Sequence, residues 1–280
     1  WYLEQEDIIH PEQAGFQPNR STEQQVTIFS QHIKDNLHKG LITTVVYIDF
    51  HKAYDSIWRA NLLLKLFHCG VNGKMLQWIR NFINQRYCQV RYGDSTSTFK
   101  QLQTGLPQGS VTSCSLFNLY INDLIPTLKK HKDVHVLLYA DDLVLWTSAP
   151  KRRAKEIIET KLNKVLEDLN NWCTENVMSL NTSKTACQTF SLCHNSIEPQ
   201  LSINKTQLNY VSKFKYLGVT LDSKLSWKDH IEDVTLKTQR RLPLLKRLAG
   251  CQWGCGTSTL KTTYQMYIKP IIKYSCGALI

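Results

Sequence analysis

Between Val134 and Trp146 the chain reads V-H-V-L-L-Y-A-D-D-L-V-L-W, two apolar runs on either side of the adjacent carboxylates Asp141 and Asp142. Runs of this length and composition predict two half-buried strands of a hairpin, with the acid pair at its turn. Neighbouring carboxylates at the rim of an apolar sheet repel one another, and desolvation adds to the cost. A divalent cation would compensate both effects. Aspartate is also a favoured residue of plain polar β-turns, so the hairpin by itself leaves two readings open.

Working outward, Leu41–Phe50 (L-I-T-T-V-V-Y-I-D-F) is rich in β-branched residues and apolar on both faces, which predicts a buried central strand ending at Asp49. Residues 1–20 are polar and punctuated by Pro11, Gly15, Pro18 and Asn19. Ser21-Thr22-Glu23 then opens a helix to about Asn36, with Val26, Phe29, Ile33 and Leu37 on one face. Ala60 to Phe82 reads as mostly helical, broken at Cys69-Gly70 and Asn72-Gly73, and two short strands around Gly93-Asp94 follow. Arg80, Arg86 and Arg91 are interleaved here with Trp78, Tyr87 and Tyr92. That mixture suits phosphate pairing and base stacking on a nucleic-acid strand. It equally suits aromatics packed inward beneath solvated arginines.

Gly105-Leu-Pro-Gln-Gly-Ser110 combines a Gly/Pro turn with the start of an apolar helix, where free N–H groups suit a phosphate or sugar hydroxyl. Arg153 to Trp172 has the spacing of an amphipathic helix lying on a sheet. Leu180–Thr185 is a polar turn into a strand, and Lys213–Leu221 is a strand pair bending at Gly218. From Trp227 the chain turns helical and basic, with a domain boundary expected near residue 225.

The 34 Lys and Arg outnumber the 23 Asp and Glu across 280 residues, for a formal charge of +11 that fits a polyanionic partner. The nine cysteines include no C-x-x-C pair, which argues for free thiols in a reducing compartment. Cys251 and Cys255 lack a second ligand pair for zinc. No signal peptide or bilayer-length apolar stretch is present, so an intracellular, nuclear or cytoplasmic setting without a membrane is expected. The start at Trp1 and the apolar end read as a segment of something longer.

Asp49 ends one predicted strand and Asp141-Asp142 interrupt a hairpin; if these strands are neighbours, three carboxylates converge where two Mg²⁺ ions could be bridged. At this point the motifs carry a resemblance. Y-I-D-F-H-K-A-Y-D (Tyr47 to Asp55), G-L-P-Q-G-S (Gly105 to Ser110), F-N-L-Y-I-N-D (Phe117 to Asp123), Y-A-D-D (Tyr139 to Asp142), L-N-T-S-K-T (Leu180 to Thr185) and Y-L-G-V (Tyr216 to Val219) resemble, in order, the motifs of reverse transcriptases. The spacing is similar to that of non-LTR retrotransposons in the jockey-like and related branches, and G-F-Q-P-N-R-S-T (Gly15 to Thr22) is similar to the fingers motif of the same group.

The resemblance implies an α+β right-hand polymerase, with an antiparallel-sheet palm packed on helices, partial fingers and a partial helical thumb. It divides the chain into partial fingers (1–40), the first palm strand (41–58), a fingers/palm insertion (59–104), palm (105–210), a primer-grip hairpin (211–226) and partial thumb (227–280). Asp49, Asp141 and Asp142 would hold two Mg²⁺ ions, with Mn²⁺ as a substitute, helped by the backbone carbonyl of Phe50. Tyr54 would exclude a ribose 2′-hydroxyl, Gln108 and Gly109 would border the incoming sugar, and Lys184 would approach the triphosphate. Tyr216, Leu217 and Gly218 would grip the primer, Arg20 would approach the template, and Arg240 and Arg241 would track the duplex. The expected partners are an RNA template, a DNA primer or target, and dNTPs.

The chain departs from the family at Gln17 and Asn19, where arginine and glycine are usual, and at Val111-Thr-Ser-Cys114, where many relatives carry a proline. The resemblance leads us to expect that the family's earlier basic fingers strand, an upstream endonuclease and the rest of the thumb fall outside this stretch. The rival expectation is therefore a truncated or relic fragment that binds nucleic acid without catalysis.

Overall fold

The structure is a computed structural model that describes residues 2–193, 197–250 and 253–279. Its organising strand, β1 (Leu41–Ile48), carries Thr, Val and Ile at the positions where a pleated, doubly covered strand favours branched side chains. It lies at the centre of a five-stranded sheet with β2 (Val134–Tyr139), β3 (Asp142–Pro150), β4 (Ala186–Phe190) and β5 (Asn209–Tyr210), in the order β5-β4-β1-β3-β2. The pairs are antiparallel except β4 with β5. The period of two divides β1 between two cores. Ile42, Val46 and Ile48 face a large helical layer, and Val45 and Tyr47 face a second cluster. Hydroxyls trapped in the sheet satisfy one another, Thr44 with Thr189 at 2.9 Å and Thr43 with Ser148 at 2.8 Å.

The helical layer includes α2 (Arg59–His68), α3 (Gly73–Ile83), α4 (Val111–Ile121), α5 (Leu124–Lys129) and α6 (Ala154–Glu175). On the opposite face lies α1 (Thr22–His38), capped by the Ser21 hydroxyl, which accepts the Gln24 N–H. The four apolar residues expected on one face of α1 are all buried. Its Phe29 packs edge-on against Trp146 and Phe190. This double cover corrects the half-buried expectation for the second strand of the 134–146 hairpin, where Leu143–Thr147 are all buried, while the first strand buries Val136–Leu138 and leaves His135 exposed. The runs L-L-Y and L-V-L-W lack the polar alternation of a one-sided strand for that reason.

β6 (Lys213–Tyr216) and β7 (Val219–Asp222) form a hairpin over the second core, with the Phe214 ring stacked on Tyr47 at 3.8 Å. The basic helix α7 (Lys228–Leu248) follows and buries only His230. The last described stretch, Cys276–Leu279, returns to pack against α1.

Residues Arg86–Leu102 form an exposed two-stranded ribbon. Tyr87, Tyr92 and Trp78 are all more than half exposed, so the inward-packed alternative is not what the structure adopts. The described cysteines are free thiols; Cys251, half of the possible zinc pair, lies outside the described residues. No described helix is long and apolar enough to cross a membrane.

Candidate active site

Strand register brings the acids together. Ile48 of β1 pairs with Leu143 of β3, which sets Asp49, the next residue, beside Asp142 at the start of β3. The hairpin turn itself is Ala140-Asp141, while Asp142 already pairs with Tyr139, a one-residue correction to the expected turn. Ala140 adopts a φ of 56°, a left-handed conformation that a side chain disfavours.

Gln13 compensates for this turn by acting as a surrogate strand. Its Nε2 donates to the Ala140 carbonyl at 3.1 Å, and its Oε1 accepts the Ala140 N–H at 2.9 Å and the Gly15 N–H at 2.8 Å. Gly15 approaches so closely that a Cβ would lie 2.2 Å from the Ala140 nitrogen. Gln13 escaped the sequence reading, although it stands two residues before the G-F-Q-P-N-R-S-T stretch.

None of the three acids is paired with a Lys, Arg or His among the described residues. Burial raises the Asp141 carboxyl, and the Asp49 charge adds to the shift. Asp142 opens onto a cleft on one side, yet crowding by protein elsewhere, followed by the charges of Asp141 and Asp49, pushes it up to about 6. The acids therefore stand as uncompensated negative charge at the sheet edge. As the side chains lie, no three described His, Cys, Asp or Glu residues close around one cation site. Instead the acids divide between two clefts.

Asp141 borders the first cleft, about 430 Å³, with Phe50, Tyr54, Gln108 and Gly109. The Tyr54 ring stacks on Phe117 at 4.5 Å, and burial, with Cys114 and Asp141 nearby, raises its phenol. Gln108 Nε2 donates to Asp55 Oδ1 at 2.8 Å. Its loop is anchored from below by buried Arg59, which donates to the carbonyls of Leu102 and Thr104 at 2.8 Å and of Gly105 at 2.9 Å. Gly105 and Leu106 N–H groups donate to Ile57 and Tyr54 carbonyls, each at 2.9 Å. The Tyr54 and Gln108 segments thus form one welded unit. Arg59 is a second residue that sequence reasoning missed, since nothing local marks its long-range carbonyl partners.

Asp49 and Asp142 border the second cleft, about 380 Å³, with Lys184, Tyr216, Leu217 and Gly218. The 180–185 turn is fastened to β1: the Asp49 carbonyl accepts the Asn181 N–H at 2.8 Å, and its N–H donates to the Thr185 hydroxyl at 3.3 Å. The Phe50–Leu180 bridge runs through the flanking Asp49 carbonyl and His51 amide, so this pairing does not engage Phe50's own carbonyl. Lys184 stands across the acids from Gln108, on the side of the β6–β7 turn.

The remaining candidates lie further out. The Tyr216 side chain is 2% exposed and sits in the second core, leaving the half-buried Leu217-Gly218 turn as the part of that motif that borders the cleft. Arg20 is exposed on a separate groove with Gln13 and Gln17. Arg240 is exposed on α7, whereas the Arg241 guanidinium lies 4.5 Å over the Tyr267 ring and donates to the Tyr267 carbonyl.

Comparison with known proteins gives a consistent result. A family model described as "Reverse transcriptase (RNA-dependent DNA polymerase)" matches residues 2–221. The "Probable RNA-directed DNA polymerase from transposon BS" of Drosophila melanogaster is 28% identical over 93% of this chain and 29% of that protein. The "RNA-directed DNA polymerase from mobile element jockey" of Drosophila funebris is 25% identical over 94% of this chain and again 29% of the relative. The chain thus spans under a third of the length of these relatives. Among solved structures, apo telomerase from Candida tropicalis aligns with a TM-score of 0.54 at 13% identity, over 99% of this chain and 48% of that one. At this identity the likeness shows the fold alone.

Proposed function

The chain belongs to the reverse transcriptase (RNA-dependent DNA polymerase) family, with a right-hand polymerase fold, and from that premise we propose that it is the catalytic core of an RNA-directed DNA polymerase. It would transfer nucleotides from dNTPs to a primer 3′-hydroxyl on an RNA template, within a non-LTR retrotransposon. The observation that carries the reading is the meeting of Asp49, Asp141 and Asp142, without a cationic partner among the described residues and with two raised carboxyls, at the wall between two clefts.

Hard oxygen ligands and uncompensated charge fit divalent cations, Mg²⁺ first and Mn²⁺ as a substitute. The three acids, with the Phe50 carbonyl, would hold two of them. When bound, such ions polarise the attacking hydroxyl and neutralise the leaving pyrophosphate.

The chain's own residues then have distinct tasks. In the Asp141 cleft Tyr54, backed by Phe117, limits the room beside the sugar, and Gln108, fixed by Asp55, and Gly109 border the nucleotide. In the Asp142 cleft the Leu217-Gly218 turn presents backbone to the primer end. Lys184 on the same side supplies positive charge near the transferred phosphate or a proton to the leaving group. Exposed Arg20 and Arg240 suit phosphate contacts with template and duplex. Reaction in the nucleus or cytoplasm, away from membranes, fits the free thiols.

Primer extension on an RNA template with Mg²⁺ tests the reading. The expected result is dNTP-dependent product that Asp141→Asn abolishes. Salt-sensitive binding of primer–template with no incorporation, unchanged by Asp141→Asn, would instead identify a nucleic-acid-binding relic.

A further inference from the structure

The Leu217-Gly218 turn is a two-residue connection in which both residues have positive φ, 42° and 84°. Such turns match the twist of the flanking strands, and the strain at Leu217 persists only where surroundings hold it. What holds it comes from far along the chain. The Tyr274 hydroxyl is placed to donate to the Leu217 carbonyl at 2.6 Å and to the Thr22 hydroxyl oxygen at 3.1 Å, and its single proton serves the shorter contact to the turn.

The Tyr274 ring covers Gly218, where a Cβ would lie 3.0 Å from Cε1. Gly218 is therefore a glycine for two reasons, its φ and the ring above it. Tyr274 directly follows the helical turn Lys269–Lys273, which packs on α7. Three residues later the Gly277 N–H donates to the Glu23 carboxylate of α1 at 3.2 Å. One side chain thus links the turn, the start of α1 and the C-terminal helices.

We propose that Tyr274 is a positioning residue that sets the height of the Leu217-Gly218 turn over the acid cleft and couples it to the placement of the C-terminal helices. The inference rests on the reverse-transcription reading above, in which this turn aligns the primer end. The same turn borders the cleft shared by Asp49 and Asp142, so a shift of its backbone changes where a 3′-hydroxyl would rest. Tyr274 acts through the turn and touches no reacting atom.

The test is single-turnover incorporation at saturating primer–template, comparing the unmodified protein with Tyr274→Phe, which keeps the ring and loses the hydroxyl. Loss of this hydrogen bond lowers the incorporation rate about fivefold. KM for the dNTP and affinity for primer–template stay within about twofold, a split that general destabilisation would not give. Thr22→Val, which leaves the Leu217 contact, has a smaller effect. Gly218→Ala is less damaging when combined with Tyr274→Ala than alone, because the ring it meets is gone. Equal rates for Tyr274→Phe and the unmodified protein overturn the inference while leaving the polymerase reading intact. If the unmodified protein incorporates nothing, the polymerase reading fails, and a 2-aminopurine base at the bound primer terminus judges the turn directly. Emission that differs in Tyr274→Phe supports the positioning role, and identical emission overturns it.

Discussion

Replacing Gly105 with alanine probes the welded unit that joins Tyr54 to Gln108. Gly105 has a φ of 80°, and a Cβ there would lie 2.7 Å from both the Cα and the carbonyl oxygen of Asp55. Ordinary contact begins at 3.4 Å, so backbone must yield by 3.4 − 2.7 = 0.7 Å. The left-handed backbone adds about 1–2 kcal/mol for any residue with a Cβ. Asp55 cannot retreat alone, because it also holds Gln108 Nε2, and Arg59 fixes the loop from the other side. The Gln108 loop or the Tyr54 segment therefore moves. A misplacement approaching 1 Å at a reacting geometry lowers rates by up to about a hundredfold. We expect Gly105→Ala to slow incorporation on the order of tenfold to a hundredfold while the protein stays folded.

Gly40→Ala is the matched control: its φ is 70°, no atom lies within 4 Å of the added Cβ, and it sits between α1 and β1, away from both clefts. It pays the conformational term alone, visible as a fall in Tm of roughly 2–4 °C per kcal/mol, with incorporation intact. Single-turnover primer extension and thermal melts on both variants decide the matter. Gly105→Ala activity within about twofold of the unmodified protein would refute the welded-unit argument, as would an equal loss in Gly40→Ala.

Tyr54→Val should let rNTPs compete, lowering the dNTP-to-rNTP preference by about tenfold, equivalent to ~1.4 kcal/mol, in paired incorporation assays; an unchanged preference would remove Tyr54 from the sugar contact. Arg240→Ala should weaken duplex binding and reduce the salt slope by about one, whereas Arg241→Ala should act on Tm through its lost Tyr267 contact; fluorescence titrations across salt and melting curves separate the two. The His32 and His135 rings lie 4.2 Å apart, and His32 Nδ1 accepts the Trp146 indole N–H, which requires that nitrogen to be unprotonated. Crowding by surrounding protein lowers both pKa values, although one side of the His135 ring stays exposed, with Lys39 adding to the shift at His32 and His32 adding at His135. The unfolded chain thus binds more protons below about pH 6.5, so this contribution to stability is complete above that pH and declines below it. His135→Gln should flatten the fall in Tm between neutral and mildly acidic pH; an unaltered profile would refute the neutral pair.

Much of the central sheet and its helices was legible because that information is local. The β-branched run 41–48, the apolar face of α1 and the helical spacing of α6 each declare their partner surface in one stretch of chain. The convergence of the acids was legible because Asp49 ends one apolar strand and Asp141-Asp142 interrupt an apolar hairpin, although a plain polar turn also favours aspartate. Contacts between distant segments were not legible. Gln13 reaches Ala140, Arg59 reaches three carbonyls more than forty residues away, and Tyr274 reaches Leu217, and each uses a residue type that is ordinary on a surface. The side of the acids on which Lys184 stands was equally hidden, because it depends on how the 180–185 turn is fastened to Asp49. Burial of both faces of Leu143–Thr147 required knowing that α1 covers the face opposite the main helical layer.

The central claim, that Asp49, Asp141 and Asp142 act as one cluster holding divalent cations, is tested most directly by titrating Mn²⁺ into the protein and reading bound ion by electron paramagnetic resonance, without any nucleic acid or turnover. The account predicts saturable binding that is lost in Asp49→Asn and in Asp141→Asn alike, although these residues border different clefts. Binding that survives both substitutions, or that one removes and the other leaves unchanged, would contradict it.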